Sequence, residues 1–404
     1  MRWRLALCAC LLAGLVFPLP ASALGPSGLR ARLARDMSHA GRYSGAYVMD
    51  LTTHRTLFTW RGDVGRSPAS VEKLYTTTTA LLRFGPTATF TTALEGTAVV
   101  DPDGIYRGNL WLHGDGDPSL TTARLAQMAA QVRALGITSI HGAIIGDETK
   151  FDGLRGSYDS RYGLDGDIGE LGGLVVNEGF DSHGHFQFSP ARYAAQQLVA
   201  ALKRAGVKVT GGTRRGVAPA NAQPLVASPS APLGTLVAMT NTPSDKFFAE
   251  TFDKDIGAAF GGAGSTPAGT AVIRAQMAQF ANVHPVIVDG SGLSRVDHTT
   301  PHQVVKLLNR LNGNTTVGPV LRASLPIAGR TGTLDTRMRH TLAEGRCQAK
   351  TGSLIGVSGL AGYCPSRDGH TIAFAFLMNS LSVYTARSIQ DGMTVALANA
   401  TLGG

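Results

Sequence analysis

The chain has 404 residues, 43% of them hydrophobic, with 37 basic and 28 acidic side chains that give a formal net charge of +9. This length exceeds one ordinary core and predicts a globular protein of two or so domains. The positive charge suits anionic polymers or membrane surfaces as neighbours. No block of Lys and Arg is interleaved with aromatic residues, so nucleic-acid binding is not predicted.

Residues 1–23 are predicted to form a secretory signal peptide. Arg2 and Arg4 precede an apolar run, 5–19, and the small residues of 21–23 stand before the expected cleavage site. A retained membrane anchor is the alternative, although the run is short for a membrane span. We therefore expect an exported protein that works in the periplasm or the cell-wall space.

The first part of the mature chain, 24–88, contains a serine–lysine pair at the start of a predicted helix. Two strand-like runs, 46–51 and 56–60, predict a β-hairpin before it. Ser70 lies at or just inside the helix N-terminus, and Lys73 lies one turn further on the same face. A desolvated lysine near other cationic groups can accept the proton of a serine and make it a nucleophile. Taken alone, this S-x-x-K spacing is more often a helix cap followed by a solvated lysine.

Residues 89–232 are predicted to form an inserted, mixed α/β domain. Strand-like and helical runs alternate here between turns rich in Gly and Asp, and a linker rich in Pro, Ala and Ser ends the region at 219–232. The predicted strands are 89–100, 105–113 and 142–146, and the predicted helices are 121–135 and 193–205.

Residues 233–404 are predicted to complete the first domain, which is therefore discontinuous in sequence. Helical and strand-like runs are both present, as an α+β domain requires. The predicted helices are 233–252, 270–280, 301–312 and 385–398, and the predicted strands are 286–288, 348–353, 360–364 and 371–378.

Two cysteines remain in the mature chain, because Cys8 and Cys10 leave with the signal peptide. Pairing the two predicted strands about a turn near Ile355 places Cys347 opposite Cys364. In an exported protein this arrangement predicts a cross-strand disulfide. Two buried free thiols are the alternative.

Two further motifs join Ser70 and Lys73. Ser244-Asp245-Lys246 precedes a helical stretch, and Lys350-Thr351-Gly352 stands on a predicted strand, where the glycine lets a ligand approach the backbone. The ordered set S-x-x-K, S-D-x and K-T-G is typical of penicillin-binding proteins and related β-lactamases.

With these motifs the chain resembles the class C low-molecular-mass penicillin-binding proteins, the D-alanyl-D-alanine carboxypeptidases/endopeptidases of the bacterial periplasm or wall. The long insertion between Ser70 and Ser244 is itself similar to that of this family. Further similar segments are Gly114–Leu120, Phe260–Thr266, Asp289–Arg295, Leu325–Gly329 and Gly332–Leu334.

The resemblance implies an α+β fold, in which a transpeptidase/β-lactamase-like domain has an antiparallel sheet flanked by helices and carries a large inserted mixed α/β domain. It implies a serine D,D-peptidase that acts on peptidoglycan stem peptides and is acylated by β-lactams. It implies no metal or organic cofactor. Neither the oligomeric state nor the balance between carboxypeptidase and endopeptidase action follows from it.

The resemblance also implies roles for the three catalytic residues. Ser70 would attack the carbonyl between the two terminal D-alanines. Lys73 would accept the proton of Ser70, its pKa lowered by a neighbouring cation and by desolvation. Ser244 would relay a proton to the departing D-alanine.

Four more residues are implied to bind the substrate. Lys350 and the Thr351 hydroxyl would hold its terminal carboxylate by charge-assisted contacts. The backbone N–H groups of Ser353 and of the nucleophile would form the oxyanion hole. Arg295 is a candidate for contacting the stem peptide, with an ordinary surface arginine as the alternative.

The middle motif departs from the family at Lys246, where the family has Asn. An amide both donates and accepts hydrogen bonds, whereas an ammonium only donates. A third cation beside Lys73 and Lys350 also adds repulsion unless a carboxylate, such as Asp245 or Glu72, compensates. Three functions therefore stay open: an active D,D-peptidase that binds substrate through Lys246, a catalytically weak wall-binding or β-lactam-sensing relative, and a β-lactamase.

Two other features point to no site of their own. Many relatives carry a third domain nested in the insertion, but the segment 172–190 is short and predicts that this domain is missing or reduced. The segment 165–170 resembles a calcium loop, yet its ligand spacing is wrong. His183 and His185 would need further metal ligands, so a solvated strand face is the better interpretation.

Overall fold

The computed structural model describes residues 23–403, so the predicted signal peptide, apart from Ala23, lies outside the described residues. The α-helices of this range are α1 Pro26–His39, α2 Lys73–Phe84, α3 Thr122–Ala134, α4 Pro190–Arg204, α5 Leu233–Asn241, α6 Lys246–Phe260, α7 Thr266–Ala281, α8 Pro301–Asn312, α9 Gly318–Ala323 and α10 Val383–Ala398. The strands are β1 Ser44–Asp50, β2 Arg55–Trp60, β3 Thr91–Gly96, β4 Ile105–Tyr106, β5 Leu110–His113, β6 Ser139–Ile140, β7 Ile144–Asp147, β8 Lys208–Val209, β9 Thr213–Arg215, β10 Gln223–Pro229, β11 Gln348–Leu354, β12 Val357–Pro365 and β13 Thr371–Asn379. Within residues 23–403 no helix is long and apolar enough to cross a membrane.

An antiparallel sheet with the strand order β11-β12-β13-β1-β2 forms the centre of one half of the molecule. β13 lies in the middle, and it is apolar along nearly its whole length because both faces of the sheet are covered. Successive side chains of a strand point to opposite faces. Phe374 and Phe376 therefore join the core under α1 and α10, whereas Ala375 and Leu377 join the core of a larger helical layer.

The larger helical layer contains α2 and α5–α9. Its central helix, α2, buries Leu74, Tyr75 and Leu81, and α8 packs on β1 and β13. The turn before α2 contacts the edge strand β11. The N-terminus of α2 therefore lies beside this edge strand, and Ser244, two residues before α6, contacts Lys350 of the same strand.

A second core lies between Thr91 and Pro229, inside the region predicted as an insertion. Its mixed sheet has the order β10-β3-β5-β7-β9, and a small parallel sheet has the order β4-β6-β8. Helices α3 and α4 pack against each other over this core and bury, among others, Met128 and Leu198. In the segment 172–190 the structure has a short 3₁₀ turn, at Asn177–Gly179, and one isolated bridge, between Phe180 and Phe186, before α4 begins.

The prediction of an α+β fold with an antiparallel sheet flanked by helices is confirmed. The prediction of one continuous helix over 233–252 is wrong. The chain instead leaves α5 after Asn241 and starts α6 at Lys246, with Ser244 at φ = 68° in the break. The predicted strand 286–288 is reduced to one isolated bridge, between Val286 and His298.

Candidate active site

Ser70 lies in a 3₁₀ turn, Ala69–Glu72, that runs directly into α2. Its side chain is partly exposed, whereas its neighbours Ala69 and Val71 are buried. The turn presses against β11 at Gly352. A Cβ at Gly352 would lie 2.5 Å from the carbonyl oxygen of Pro68 and 3.1 Å from the amide nitrogen of Ser70, so only glycine permits this approach.

Lys73 is fully buried one turn beyond Ser70. Its Nζ donates to Ser70 Oγ at 3.0 Å and to the carbonyl oxygen of Ser291 at 2.6 Å. Burial lowers the pKa of Lys73 to about 8, and the nearby carboxyls of Glu72 and Asp289 oppose a larger fall. The neutral form of Lys73 is therefore accessible near neutral pH, in hydrogen-bonding contact with the hydroxyl it would deprotonate.

The Ser291 carbonyl that orients Lys73 belongs to a tight loop held by Asp289. The Asp289 carboxylate accepts from the backbone N–H groups of Ser291, Gly292 and Ser294 at 3.1, 2.6 and 2.7 Å. Gly292 has φ = 74°, and a Cβ there would lie 2.1 Å from the carbonyl oxygen of Ala69. This segment was predicted only to resemble the family, and the role of Asp289 in positioning the partner of Lys73 was not predicted.

A second lysine–serine pair faces the first. Lys350, on β11, is fully buried, and its Nζ donates to Ser244 Oγ at 2.7 Å and to the carbonyl oxygen of Thr351 at 3.0 Å. Burial, followed by the positive charge of Lys73, lowers the pKa of Lys350 well below its usual value. No carboxylate within residues 23–403 forms an ion pair with this lysine. Lys350 therefore suits an anionic ligand.

Thr351 presents its hydroxyl beside the same lysine. Thr351 Oγ1 donates to Thr333 Oγ1 at 2.7 Å, and the backbone N–H of Thr333 donates to the carbonyl oxygen of Thr242, in the break between α5 and α6. The hydrogen bonds thus tie β11 to the segment that carries Ser244. The role of Thr333 was not predicted, although its Gly-Thr-Leu segment was singled out as similar to the family.

Five carboxyl groups are buried behind Lys73, and all have raised pKa values, chiefly because burial disfavours their charged forms. The pKa of Glu250 is raised to about 8 and that of Asp297 to about 11. Asp297 is hydrogen-bonded to Asp289, so the two groups share a proton. No sequence pattern predicted this cluster, because its members come from distant parts of the chain: Glu72 precedes α2, Glu250 and Asp253 lie on α6, and Asp289 and Asp297 lie between α7 and α8.

Two predicted binding residues lie at the exposed edge of the site. The Ser353 hydroxyl accepts from Arg387 Nη2, on α10, at 3.1 Å. Arg295 Nη2 donates to the carbonyl oxygen of Ile355, at the β11–β12 turn, at 2.5 Å. Arg295 therefore links its loop to this turn, and its contact with a stem peptide stays a prediction.

Lys246 begins α6 and forms an ion pair with Asp167, with Nζ 3.0 Å from Oδ1. Of the two carboxylates considered as compensation, Asp245 caps α6 by accepting from the N–H of Phe248, and Glu72 accepts from the hydroxyl of Thr76. The pairing of Asp167 with Lys246 was not predicted, since the segment 165–170 was considered only as a calcium loop and has the wrong ligand spacing for one.

A disulfide joins Cys347 and Cys364. Gln348 pairs with Tyr363 in the β11–β12 register, which places the two cysteines opposite each other at the end of the hairpin. The bond lies three residues before Lys350 and fixes the end of the edge strand that carries it.

The fold thus brings Ser70, Lys73, Ser244 and Lys350 together at the β11 edge of the antiparallel sheet. A model of the D-Ala-D-Ala carboxypeptidase 3 (S13) family matches residues 29–162 and 173–400 of the chain. The chain belongs to this family. The resemblance inferred from the motifs is therefore confirmed, and the protein is a serine D-Ala-D-Ala carboxypeptidase by family.

Individual relatives agree with this assignment over most of their length. The D-alanyl-D-alanine carboxypeptidase of Actinomadura sp. (strain R39) is 28% identical, over 91% of this chain and 83% of that protein. Carboxypeptidase DacB of Mycolicibacterium smegmatis is 29% identical, over 96% and 88%. The crystal structure of penicillin binding protein 4 (dacB) from Haemophilus influenzae has the same fold, with a TM-score of 0.76 at 20% identity over 90% of this chain and 99% of that one. The Haemophilus protein has also been solved in complex with a β-lactam.

Proposed function

We propose that this S13 family member is an exported serine D,D-peptidase that cleaves the D-Ala-D-Ala bond of peptidoglycan stem peptides through an acyl-enzyme on Ser70. The observation that carries the proposal is the hydrogen bond from the buried Lys73 to Ser70 Oγ. A lysine with a pKa of about 8 that touches the nucleophile is suited to accept its proton near neutral pH.

Acylation would begin when neutral Lys73 takes the proton of Ser70 as Oγ attacks the carbonyl carbon of the penultimate D-alanine. The negative charge that develops on the carbonyl oxygen would be stabilised by the backbone N–H groups of Ser70 and Ser353. Each such donor contributes about 3 kcal/mol of transition-state stabilisation. The short approach of Gly352 to the Ser70 turn supports this assignment, since it brings β11 against the nucleophile.

The leaving group would depart as D-alanine when the C–N bond breaks and its nitrogen receives a proton. Ser244 would relay that proton. In support, its Oγ accepts from Lys350, and Lys350 lies close enough to Lys73 for their charges to interact. Water would then attack the acyl-enzyme ester, releasing the shortened peptide and restoring the Ser70 hydroxyl.

The terminal carboxylate of the substrate would bind to Lys350 and the Thr351 hydroxyl. Lys350 has a lowered pKa because it is buried beside Lys73. A bound carboxylate would supply the counter-charge that restores its ammonium form. This pairing favours carboxypeptidase substrates, which end in a free carboxylate. Cleavage of cross-links, with a second stem as leaving group, is a further activity of the same site.

β-lactams would acylate Ser70 in the same way, because their ring carbonyl takes the place of the scissile one. Lys246 is the one observation that favours a second function, a catalytically weak wall-binding or β-lactam-sensing protein. A β-lactamase, the third candidate, would be recognised by rapid hydrolysis of the acyl-enzyme.

The test is mass spectrometry of muropeptides after incubation with wild type and with Ser70→Ala. We expect wild type to shorten pentapeptide stems by one D-alanine and Ser70→Ala to leave them intact. Labelling by a fluorescent penicillin without any change in the stems would favour the weak relative. If wild type is not labelled by penicillin and does not cleave the stems, the proposal is contradicted.

A further inference from the structure

Lys246 stands where the resemblance to the family implies an Asn. It stands two residues after Ser244, a separation of at most about 7 Å along an extended backbone. Its side chain is 30% exposed. A partly exposed cation therefore lies close to Ser244, in addition to the buried Lys73 and Lys350.

The partner of Lys246 is held by its own loop. Asp165 accepts from the backbone N–H of Asp167 at 2.9 Å and from the Ser157 hydroxyl at 2.9 Å, which fixes the turn. The next residue, Ile168, is buried in the same core as Phe247, which follows Lys246. The backbones on both sides of the ion pair are thus anchored, while the Asp167 side chain remains 66% exposed.

We propose that Lys246 is a specificity residue that selects acyl-donor peptides carrying a free carboxylate, and that Asp167 is the counterion it releases when such a peptide binds. The inference rests on the proposed D,D-peptidase function and adds the substrate class to it. The carboxylate meant here belongs to the acyl donor, on the residue preceding the D-Ala-D-Ala pair, and is distinct from the terminal carboxylate held by Lys350.

The ion pair between Lys246 and Asp167 is weak enough for a substrate carboxylate to replace Asp167. An ion pair between exposed side chains contributes only about 0–1 kcal/mol, so a substrate carboxylate can replace Asp167 at little cost. Lys246 also stands at the N-terminus of α6, where the helix dipole favours an anion. An ammonium has no acceptor atom for the N–H groups of a carboxamide. It binds a carboxylate through a stronger, charge-assisted hydrogen bond.

The competing interpretation is that the Lys246–Asp167 pair is a strut that ties the insertion to α6. The two interpretations differ in what the pair does to substrate preference. A strut affects all substrates equally, whereas a specificity residue changes the ratio between an anionic substrate and its neutral analogue.

The probes are two acylated tripeptides, acyl-Glu-D-Ala-D-Ala and acyl-Gln-D-Ala-D-Ala, which differ only in one carboxylate against its carboxamide. We expect wild type to prefer the carboxylate peptide about threefold to fivefold in kcat/KM. The preference should shrink as ionic strength rises, because exposed charges are screened.

Three variants and a control complete the test. Lys246→Gln should reduce the preference to about one, and Lys246→Arg should retain it. Asp167→Asn should increase it, because the competing counterion is lost. Lys208→Gln removes an exposed lysine of β8 in the inserted region and should leave the preference unchanged.

Equal kcat/KM for the two peptides in wild type would overturn this inference and leave the D,D-peptidase function standing. Equal losses on both peptides in Lys246→Gln and Asp167→Asn would overturn it in favour of the strut. No turnover of either peptide, together with no penicillin labelling, would overturn the proposed function and this inference with it.

Discussion

Lys350 Nζ lies 2.7 Å from Ser244 Oγ, and this contact joins two motifs that are more than a hundred residues apart in the chain. It depends on two local features: the edge strand β11 and the break between α5 and α6. Both features bring their side chains to the turn that carries Ser70. The contact completes a site with two hydroxyl–amine pairs, Ser70 with Lys73 and Ser244 with Lys350, whose proposed roles in catalysis differ.

The pH dependence of acylation tests the role of Lys73. Because the neutral amine is the active form and its pKa is about 8, the acylation rate should fall about tenfold for each pH unit below 8 and level off above it. The measurement is the rate of penicillin labelling between pH 5 and 9. A rate that is constant from pH 5.5 to 8 would exclude Lys73 as the base.

Lys350 should control the preference for a free C-terminus. A charge-assisted hydrogen bond contributes about 1.5–3 kcal/mol, so wild type should favour a D-Ala-D-Ala carboxylate over its C-terminal carboxamide by about 10- to 100-fold in kcat/KM. In Lys350→Gln the two substrates should be cleaved at similar, low rates. A variant that keeps the wild-type ratio would show that another group binds the carboxylate.

Glu250 should make the folded protein less stable at alkaline pH. Its pKa of about 8 in the folded state lies above its ordinary value of 4.5, so the folded state holds the proton more tightly. The resulting stability is fully present below pH 4.5 and is lost as the pH rises from there through 8. Glu250→Gln cannot ionise and should show a flatter curve of unfolding free energy against pH.

Urea unfolding at several pH values between 5 and 9 measures this difference. Asp103→Asn, which changes an exposed acid of the inserted region, is the matched control and should follow the wild-type curve. Parallel curves for wild type and Glu250→Gln would show that the buried carboxyl is ionised without cost.

The disulfide should stabilise the fold by closing the β11–β12 hairpin. Its sequence separation is 17, for which loop-closure entropy predicts about 3 kcal/mol. The double variant Cys347→Ser, Cys364→Ser should lose about this amount in urea unfolding under oxidising conditions. With reductant present, the unfolding free energy of wild type should fall towards that of the double variant. If the two values still differ, the stability lost in the double variant comes from the packing of the serines and not from the missing disulfide.

The motif residues could be predicted from the sequence because each motif is short and sits at a local structural signal. The hairpin turn at Gly356, for example, follows from a glycine between two apolar runs, and it is found there with φ = 73°. Ser244 was placed correctly in its motif but wrongly within a long helix, since a residue with φ = 68° interrupts an otherwise helical apolar pattern.

The supporting residues could not be predicted, because their roles depend on long-range packing. Asp289 acts on Lys73 through the backbone of Ser291, more than two hundred positions away in the chain. Asp167 reaches Lys246 from a distant part of the chain, although nothing in its sequence neighbourhood separates it from other exposed acids. Such pairings become visible only when the chain is folded.

The role of Ser70 as a nucleophile activated by Lys73 can be tested by locating the covalent adduct after brief exposure to penicillin, with mass spectrometry of the intact protein and of its peptides. We predict one added penicilloyl group, on Ser70, in wild type and none in Ser70→Ala or Lys73→Met. An adduct on another residue, or an adduct that forms equally fast in Lys73→Met, would contradict the account.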